Sequence, residues 1–366
     1  MDSIALRSVN LGIVAAVLCC SGAVMAQEAA ADAPAPPAAD APAAEAPAAP
    51  PEPAAAAEAA PTAEPAEAEV APEPAAAKPK PPPYSLPWQL RPVVVGNVVR
   101  SDTAFAFYKN PTTDKSGSTV ASMLLATYKV TDNIAPLVRI GLVSNSPPSS
   151  PTSKSATGFL SPVLGATYAL KFGPTWKLGL FLGVTVPVGS GGGDKAKPEA
   201  KAANGAGILA RSAMDNAMFA VNDFVVFPGV GLAYTNAGFT AQVEATVLQL
   251  TQVRGGTAAQ PDKSRTNFTS GIHLGYFIIP MLSLSGELRY QRWLSTPKGV
   301  KADEALPDDK QNGVRDTMTF AVGPRLHFKL SDKVWFRPGV AYAMGLDDPM
   351  QKNKYKVVQL DLPIAF

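Results

Sequence analysis

Cysteine and histidine are nearly missing from this 366-residue chain, which has two of each. Cys19 and Cys20 stand together near the start, and His273 and His327 are the only histidines. Beyond Cys20 a disulfide framework, thiol chemistry and a Cys/His zinc site are therefore excluded. Long apolar runs are missing too, so no transmembrane helix is expected. Neither sign of charge dominates: 32 basic residues face 30 acidic ones, which favours neither nucleic acid nor an acidic partner.

What is present begins with a targeting pattern. Arg7 precedes LGIVAAVLCC, too short to cross a bilayer, and Val24-Met25-Ala26 supplies compact residues at the cleavage positions. Residues 1–26 read as a secretory signal containing both cysteines, and the Ala-Val-Leu before them does not resemble a lipoprotein cleavage box. Residues 27–84 form an Ala/Pro/Glu-rich leader with KPKPPP near its end. So little apolar side-chain surface cannot offset the entropy of ordering, and the prolines favour an extended, solvated chain. The leader is expected to be disordered and periplasmic, either as an unspecific tail or as an arm reaching peptidoglycan.

From residue 85 to 366 the composition changes to alternating Gly, Val, Leu, Tyr and Thr. Strands are expected near 88–108, 118–130, 134–145, 158–171, 175–188, 223–235, 238–253, 264–279, 281–295, 314–330, 333–347 and 354–366. Most reach the roughly 9–11 residues that cross a bilayer at a tilt. Connections alternate between tight ones, such as TDN (131–133) and TNAG (235–238), and long ones, such as 189–222 and 296–313. An even number of about twelve strands with loops sorted by length implies an all-β, transmembrane, antiparallel up-and-down barrel in a bacterial outer membrane. The first strand fits least well: 88–108 is too long for one crossing and its alternation slips near Arg100, which calls for a bulge or a protruding extension.

The two faces agree with a barrel. In 264–278 Phe268, Ile272, Leu274, Tyr276 and Ile278 oppose Arg265, Asn267, Thr269 and His273. One face suits hydrocarbon and the other water. Tyr128, Tyr168, Trp176 and Tyr234 lie near tight turns, as an interfacial girdle requires. The last stretch, KYKVVQLDLPIAF, places Leu362, Ile364 and Phe366 on one face. Its expected partner is the first strand, which closes the cylinder and removes both edges. The same three residues resemble the C-terminal signal read by the barrel assembly machinery, although Asp361 stands where many such signals carry glycine.

The stretch WKLGLFLGVTVPVGSGGG, a strand rising into a Gly-rich loop after Pro-Val-Gly, resembles the strand-loop junctions of Gram-negative transport barrels of the phenol-degradation (meta-pathway) type. The resemblance implies a transport barrel and carries over no binding residues.

Inward positions counted from the tight turns put Arg139, Glu244, His273, Glu287, Arg325, Arg337 and Asp361 at similar depth, with Arg289, His327 and Gln242 close by. Opposite charges confined together form hydrogen-bonded pairs, because an unpaired one is costly. Two readings follow: a lock that stiffens or seals the barrel, or a constriction selecting polar or anionic solutes. The two histidines either join this network or titrate and gate it.

In the longest loop, GSGGGDKAKPEAKAANG reads as flexible and solvated. A short helix is expected near 206–220 from the spacing of Leu209, Ala213, Ala217 and Val221. It either enters the barrel mouth as a gate, with Arg211, Asp215 or Asn216 meeting lumen charges, or packs on the outer rim. Carboxylates in ADEALPDD (302–309) suggest at most a surface cation, and a solvated loop suits them equally. Neither histidine adjoins an evident serine at the outer edge, so no enzyme and no cofactor is expected. The partners are outer-membrane lipids and a small solute. The sequence therefore points to a passive channel through a narrow charged lumen, or alternatively to a sealed structural barrel whose leader contacts the cell wall.

Overall fold

A computed structural model describes residues 84–366, apart from Ala258 and Asp309. The expected signal and the leader up to residue 83 lie outside the described residues. Twelve antiparallel staves form one sheet: β1 (Val98–Lys109), β2 (Ser116–Thr127), β3 (Ile134–Ser146), β4 (Ala156–Phe159 and Val163–Phe172), β5 (Trp176–Thr185) and β6 (Asp223–Asn236). They continue as β7 (Phe239–Gln252), β8 (Ser264–Ile279), β9 (Leu282–Trp293), β10 (Asp316–Leu326 and Phe328–Lys329), β11 (Trp335–Phe336 and Gly339–Gly345) and β12 (Lys356–Ala365). Each pairs with its sequence neighbours, and β12 returns to β1 in a register running from Val98 opposite Ala365 to Phe107 opposite Lys356. The sheet is a closed transmembrane barrel, without the unpaired edges that hydrocarbon would penalise.

Side chains alternate as the pleat requires, with the usual polarity reversed. Leu182, Leu274 and Ile278 are about half exposed on the outside, whereas Glu287, Asp361 and His273 are fully buried within. An outer surface of Leu, Ile, Val and aromatics matches a lipid solvent, not water.

The tight connections share one end. At Ala237-Gly238 both residues have positive φ, 47° and 83°, the two-residue turn whose twist matches that of the flanking strands. Two elements fold into the lumen and set what it can hold. From the tight-turn end come residues 84–97, which precede β1. From the opposite end comes the 186–222 connection, carrying α1 (Pro198–Ala210) and α2 (Asn216–Phe219). A third helix, α3 (Lys298–Glu304), lies in the loop between β9 and β10.

Two expectations are corrected here. The strand expected over 88–108 begins at Val98, and the slip near Arg100 arises because the preceding stretch leaves the wall and turns inward. Pro92, which cannot donate to a ladder, opposes a central strand there. The helix expected near 206–220 is two helices, one that starts earlier, at Pro198–Ala210, and a short one within the expected range, at Asn216–Phe219. Pro198 occupies a first-turn position whose N–H needs no partner, Glu199 suits the N-terminal dipole, and Ala and Lys propagate the turn. Part of the segment read as flexible is thus helical. The helix ends where Ser212 and Ala213 both take φ of 54°, a left-handed conformation that no helix continues through.

Candidate functional site

A peptide segment lying inside a barrel brings N–H and C=O groups with no ladder to join, and these need partners. Polar side chains of the wall supply them. Glu287 accepts from the backbone N–H groups of Trp88 (2.7 Å) and Gln89 (2.9 Å), and Arg289 donates to the same carboxylate. Thr240 Oγ1 accepts from Ser85 N–H at 3.0 Å, and Gln242 Nε2 donates to the Arg91 carbonyl at 2.7 Å. On the opposite wall Arg100 Nη2 donates to the carbonyls of Pro87 and Trp88, and Gln359 Nε2 also donates to Trp88 O. Tyr84 donates to Gln242, and Arg91 pairs with Glu244 through both its guanidinium and its N–H.

The apolar side chains of the segment are seated equally closely. Trp88 is fully buried, with the Arg325 guanidinium 4.4 Å from its ring centroid. A Cβ at Gly339 would approach the Trp88 ring to 2.7 Å, and one at Gly231 would approach Val93 Cγ1 to 2.7 Å. Glycine leaves these places in the wall empty, so the segment can approach the strands.

The outer half is held by a charge cluster. Arg211, fully buried, donates to both oxygens of Asp102 on β1 at 2.8 and 2.6 Å and to Asp215 at 2.8 Å. Arg139 on β3 grips the other side of Asp215 with two bonds. Asn216 donates to Asn267 at 3.1 Å, Arg289 donates to Ser212 at 3.2 Å, and Ser161 N–H, at the break in β4, donates to Met218 O at 3.0 Å. Arg211, Asp215 and Asn216 therefore lie inside the lumen and contact its wall.

The inward residues singled out from the sequence fall into separate groups. Asp361 takes Arg100 and Arg325, each at 2.6 Å. Glu287 takes Arg289, with His273 at 3.9 Å, and Arg139 belongs to the outer cluster. Glu244 pairs with Arg91. His327 Nε2 lies 2.9 Å from Ser283 Oγ. Arg337 stands apart: its guanidinium lies 5.6 Å from the Trp335 ring and, among the described residues, meets no carboxylate. Leu362, Ile364 and Phe366 face outward. Sequence reasoning missed Trp88, Arg91, Arg100 and Asp102, because the first three depend on a segment read as strand. The inward glycines at 231 and 339 were a signal for something packed against the wall.

In the loop 302–309, Asp303 accepts from Asn312 N–H at 2.8 Å, and Glu304 pairs with Arg315 at 2.9 Å. Among the described residues no three His, Cys, Asp or Glu side chains gather as a metal site.

Between the two inserted elements and the β1–β6 side of the wall lies a cavity of about 430 Å³. Its walls include Leu137, Val163, Phe181, Met218, Phe227 and Leu248, and it extends to Lys129, Asp132 and Lys171 at the tight-turn rim. The space is thus lined in its interior by apolar side chains together with Arg100, Asp102, Arg139 and Asp215, and by charged side chains at its mouth.

The class the fold defines is a closed transmembrane β-barrel with an occupied lumen. Residues 91–199 match the family described as "Putative MetA-pathway of phenol degradation". No curated protein matches the chain. Among solved structures it is similar to the COG4313 outer membrane channel from Pseudomonas putida F1, with 14% identity over 76% of this chain and 98% of that one and a TM-score of 0.46. It is also similar to the KdgM porin, with 9% identity over 73% and 99% and a TM-score of 0.40.

Proposed function

We propose that the protein is an outer-membrane channel for a small solute, closed in the described state by its own chain. The observation that carries this reading is the cavity: a filled structural barrel has no need of about 430 Å³ of space reaching one rim. Charges at mid-depth are engaged by the inserted segments, so solute movement requires the outer loop, the 84–97 segment or both to yield. The tight turns face the periplasm of a Gram-negative cell, where the leader would extend and reach peptidoglycan, and the assembly machinery reads Leu362, Ile364 and Phe366.

A second reading is a sealed structural barrel. The full burial of both Trp88 and Arg211 in the lumen favours it.

Conductance in a planar bilayer separates the two. The intact protein is compared with variants in which residues 197–219 are replaced by a short Gly-Ser linker or residues 84–96 by a Gly-Ser stretch. Steady or flickering current in the intact protein, rising in either variant, supports the channel. Silence in all three sinks it.

A further inference from the structure

The outer surface of the barrel is not uniform around its long-loop end. Lys356 on β12 stands opposite Phe107 on β1, Phe107 opposite Ser118 on β2, and Ser118 opposite Ser146 on β3. Ser155, just before β4, extends this outward row, its hydroxyl 3.5 Å from that of Ser146. One row nearer the midplane, Val358, Phe105 and Val120 lead to Ser144, whose hydroxyl accepts from Thr157 at 3.0 Å. One row further out, Lys109 donates to Asp114 at 2.9 Å, and Lys354 reaches the other oxygen of that carboxylate at 3.6 Å.

The lysines outnumber their partners. Asp114 serves Lys109 and Lys354 together, and among the described residues no carboxylate lies within ion-pair distance of Lys356. Lys109 is diagonal to Lys356 across the β1–β12 ladder, a separation of about 7–8 Å that long side chains can close. On the far side of the ring the outward polar groups meet one another instead. Arg292 on β9 pairs with Asp316 on β10 at 3.2 Å, and Ser264 and Thr266 on β8 bond the Gln249 amide on β7.

A single lysine near a membrane surface extends into water and needs no further account. Three on adjoining lipid-facing positions, with one carboxylate among them and a run of hydroxyls beside them, do need one. Ammonium groups at headgroup level attract phosphate, and hydroxyls exchange hydrogen bonds with sugar. Exposed Phe107, Val358 and Leu142 offer acyl chains an apolar bed on the same face. The row from Lys356 to Ser155 crosses five strands, about 19 Å at the usual strand spacing, which suits an extended disaccharide head better than a glycerophosphate one.

We infer that the outward face from β12 across β1 to β4 binds a phosphorylated glycolipid of the surrounding leaflet, its phosphate held by Lys109, Lys354 and Lys356 and its sugars by Ser118, Ser146 and Ser155. The inference takes the long-loop end as the outer leaflet and is independent of whether the lumen conducts.

The probes are lipid A, a bisphosphorylated disaccharide lipid, phosphatidylglycerol, which has a phosphate but no sugar, and inorganic phosphate. Each is titrated into the full-length detergent-solubilised protein, and bound lipid is counted by native mass spectrometry. Lipid A is expected to bind more tightly than phosphatidylglycerol, and inorganic phosphate is expected not to displace it. The double variant Lys109→Gln/Lys356→Gln is expected to weaken lipid A about tenfold or more, as loss of charge-assisted contacts does. Lys109→Arg/Lys356→Arg should retain the parent's affinity, and so should Arg292→Gln on the far side of the ring; gel mobility of the unheated variants confirms that each barrel is intact. A Gln pair that binds lipid A as the parent does, or an equal loss in Arg292→Gln, overturns the site. Phosphatidylglycerol binding as tightly as lipid A, or displacement by inorganic phosphate, overturns the glycolipid as its occupant.

Discussion

Arg211 ties the outer loop to the barrel wall, and replacing it with methionine tests whether, on the proposed channel reading, that tie keeps the lumen closed. The substitution keeps an unbranched apolar stem and removes two bonds to Asp102 and one to Asp215. Asp215 retains Arg139, so it stays neutralised. Asp102 retains a bond from Gln359 at 2.9 Å and a distant Arg139 at 3.9 Å, which leaves its buried carboxylate largely uncompensated. Removing one partner of a buried ion pair costs about 3–5 kcal/mol, and the surviving contacts place this case near ~3 kcal/mol. The balance between seated and released loop should then shift by roughly 150-fold. The assay is open probability in single-channel records at fixed voltage, with the gel mobility of the unheated protein confirming an intact barrel. Asp102→Asn in the Arg211→Met background should add much less than it does alone, because both changes act on one contact. Unchanged open probability in Arg211→Met would refute the reasoning.

Gly339→Val adds a strand-favouring residue to the wall while intruding on Trp88, so it should expel residues 84–97 and leave the barrel folded. The readout is hydrogen exchange at the Trp88 and Gln89 amides, slow in the parent because both donate to Glu287 and fast in the variant; equal protection in both would show that the segment tolerates the intrusion. Asp303, outside the membrane span, has opposing influences on its carboxyl. Burial alone would raise it, but donation from the N–H groups and side chain of the 312–314 stretch holds it below the ordinary carboxylate range. A depressed value means that its support for the 298–314 loop is present at neutral pH and is lost as pH falls through that lowered value. Hydrogen exchange in this loop should therefore rise only in strong acid and should rise at neutral pH in Asp303→Asn; an acid response retained in the variant argues against this anchor. On the proposed reading of Phe366 as part of an assembly signal, deleting it should reduce the yield of inserted barrel in cells while the inserted fraction keeps the parent's gel mobility when unheated; an unchanged yield would refute that reading.

Much of the architecture was legible in residue order, because a strand's two faces alternate with a period of two. Phe268, Ile272 and Leu274 declare a lipid face and Thr269 and His273 a lumen face before any partner strand is known. The tight and long connections then order the staves, and neighbour-to-neighbour pairing needs no long-range information. The same period listed the inward ionisable side chains, but it could not tell what each one meets.

That was decided by tertiary structure. Trp88 and Glu287 are 199 positions apart, and only closure of the ring brings the segment before β1 within reach of β9. The stretch 88–97 reads as strand because Val93, Val94 and Val95 favour extended backbone, yet in the lumen its backbone groups are satisfied by wall side chains, not by a ladder. Arg211 likewise carries no local sign that it will meet Asp102 across the barrel. Local alternation is a short-range property of the chain and determined the wall, whereas lumen occupancy depends on distant side chains enclosed together at low dielectric, where each buried charge must find whatever partner the closed ring presents.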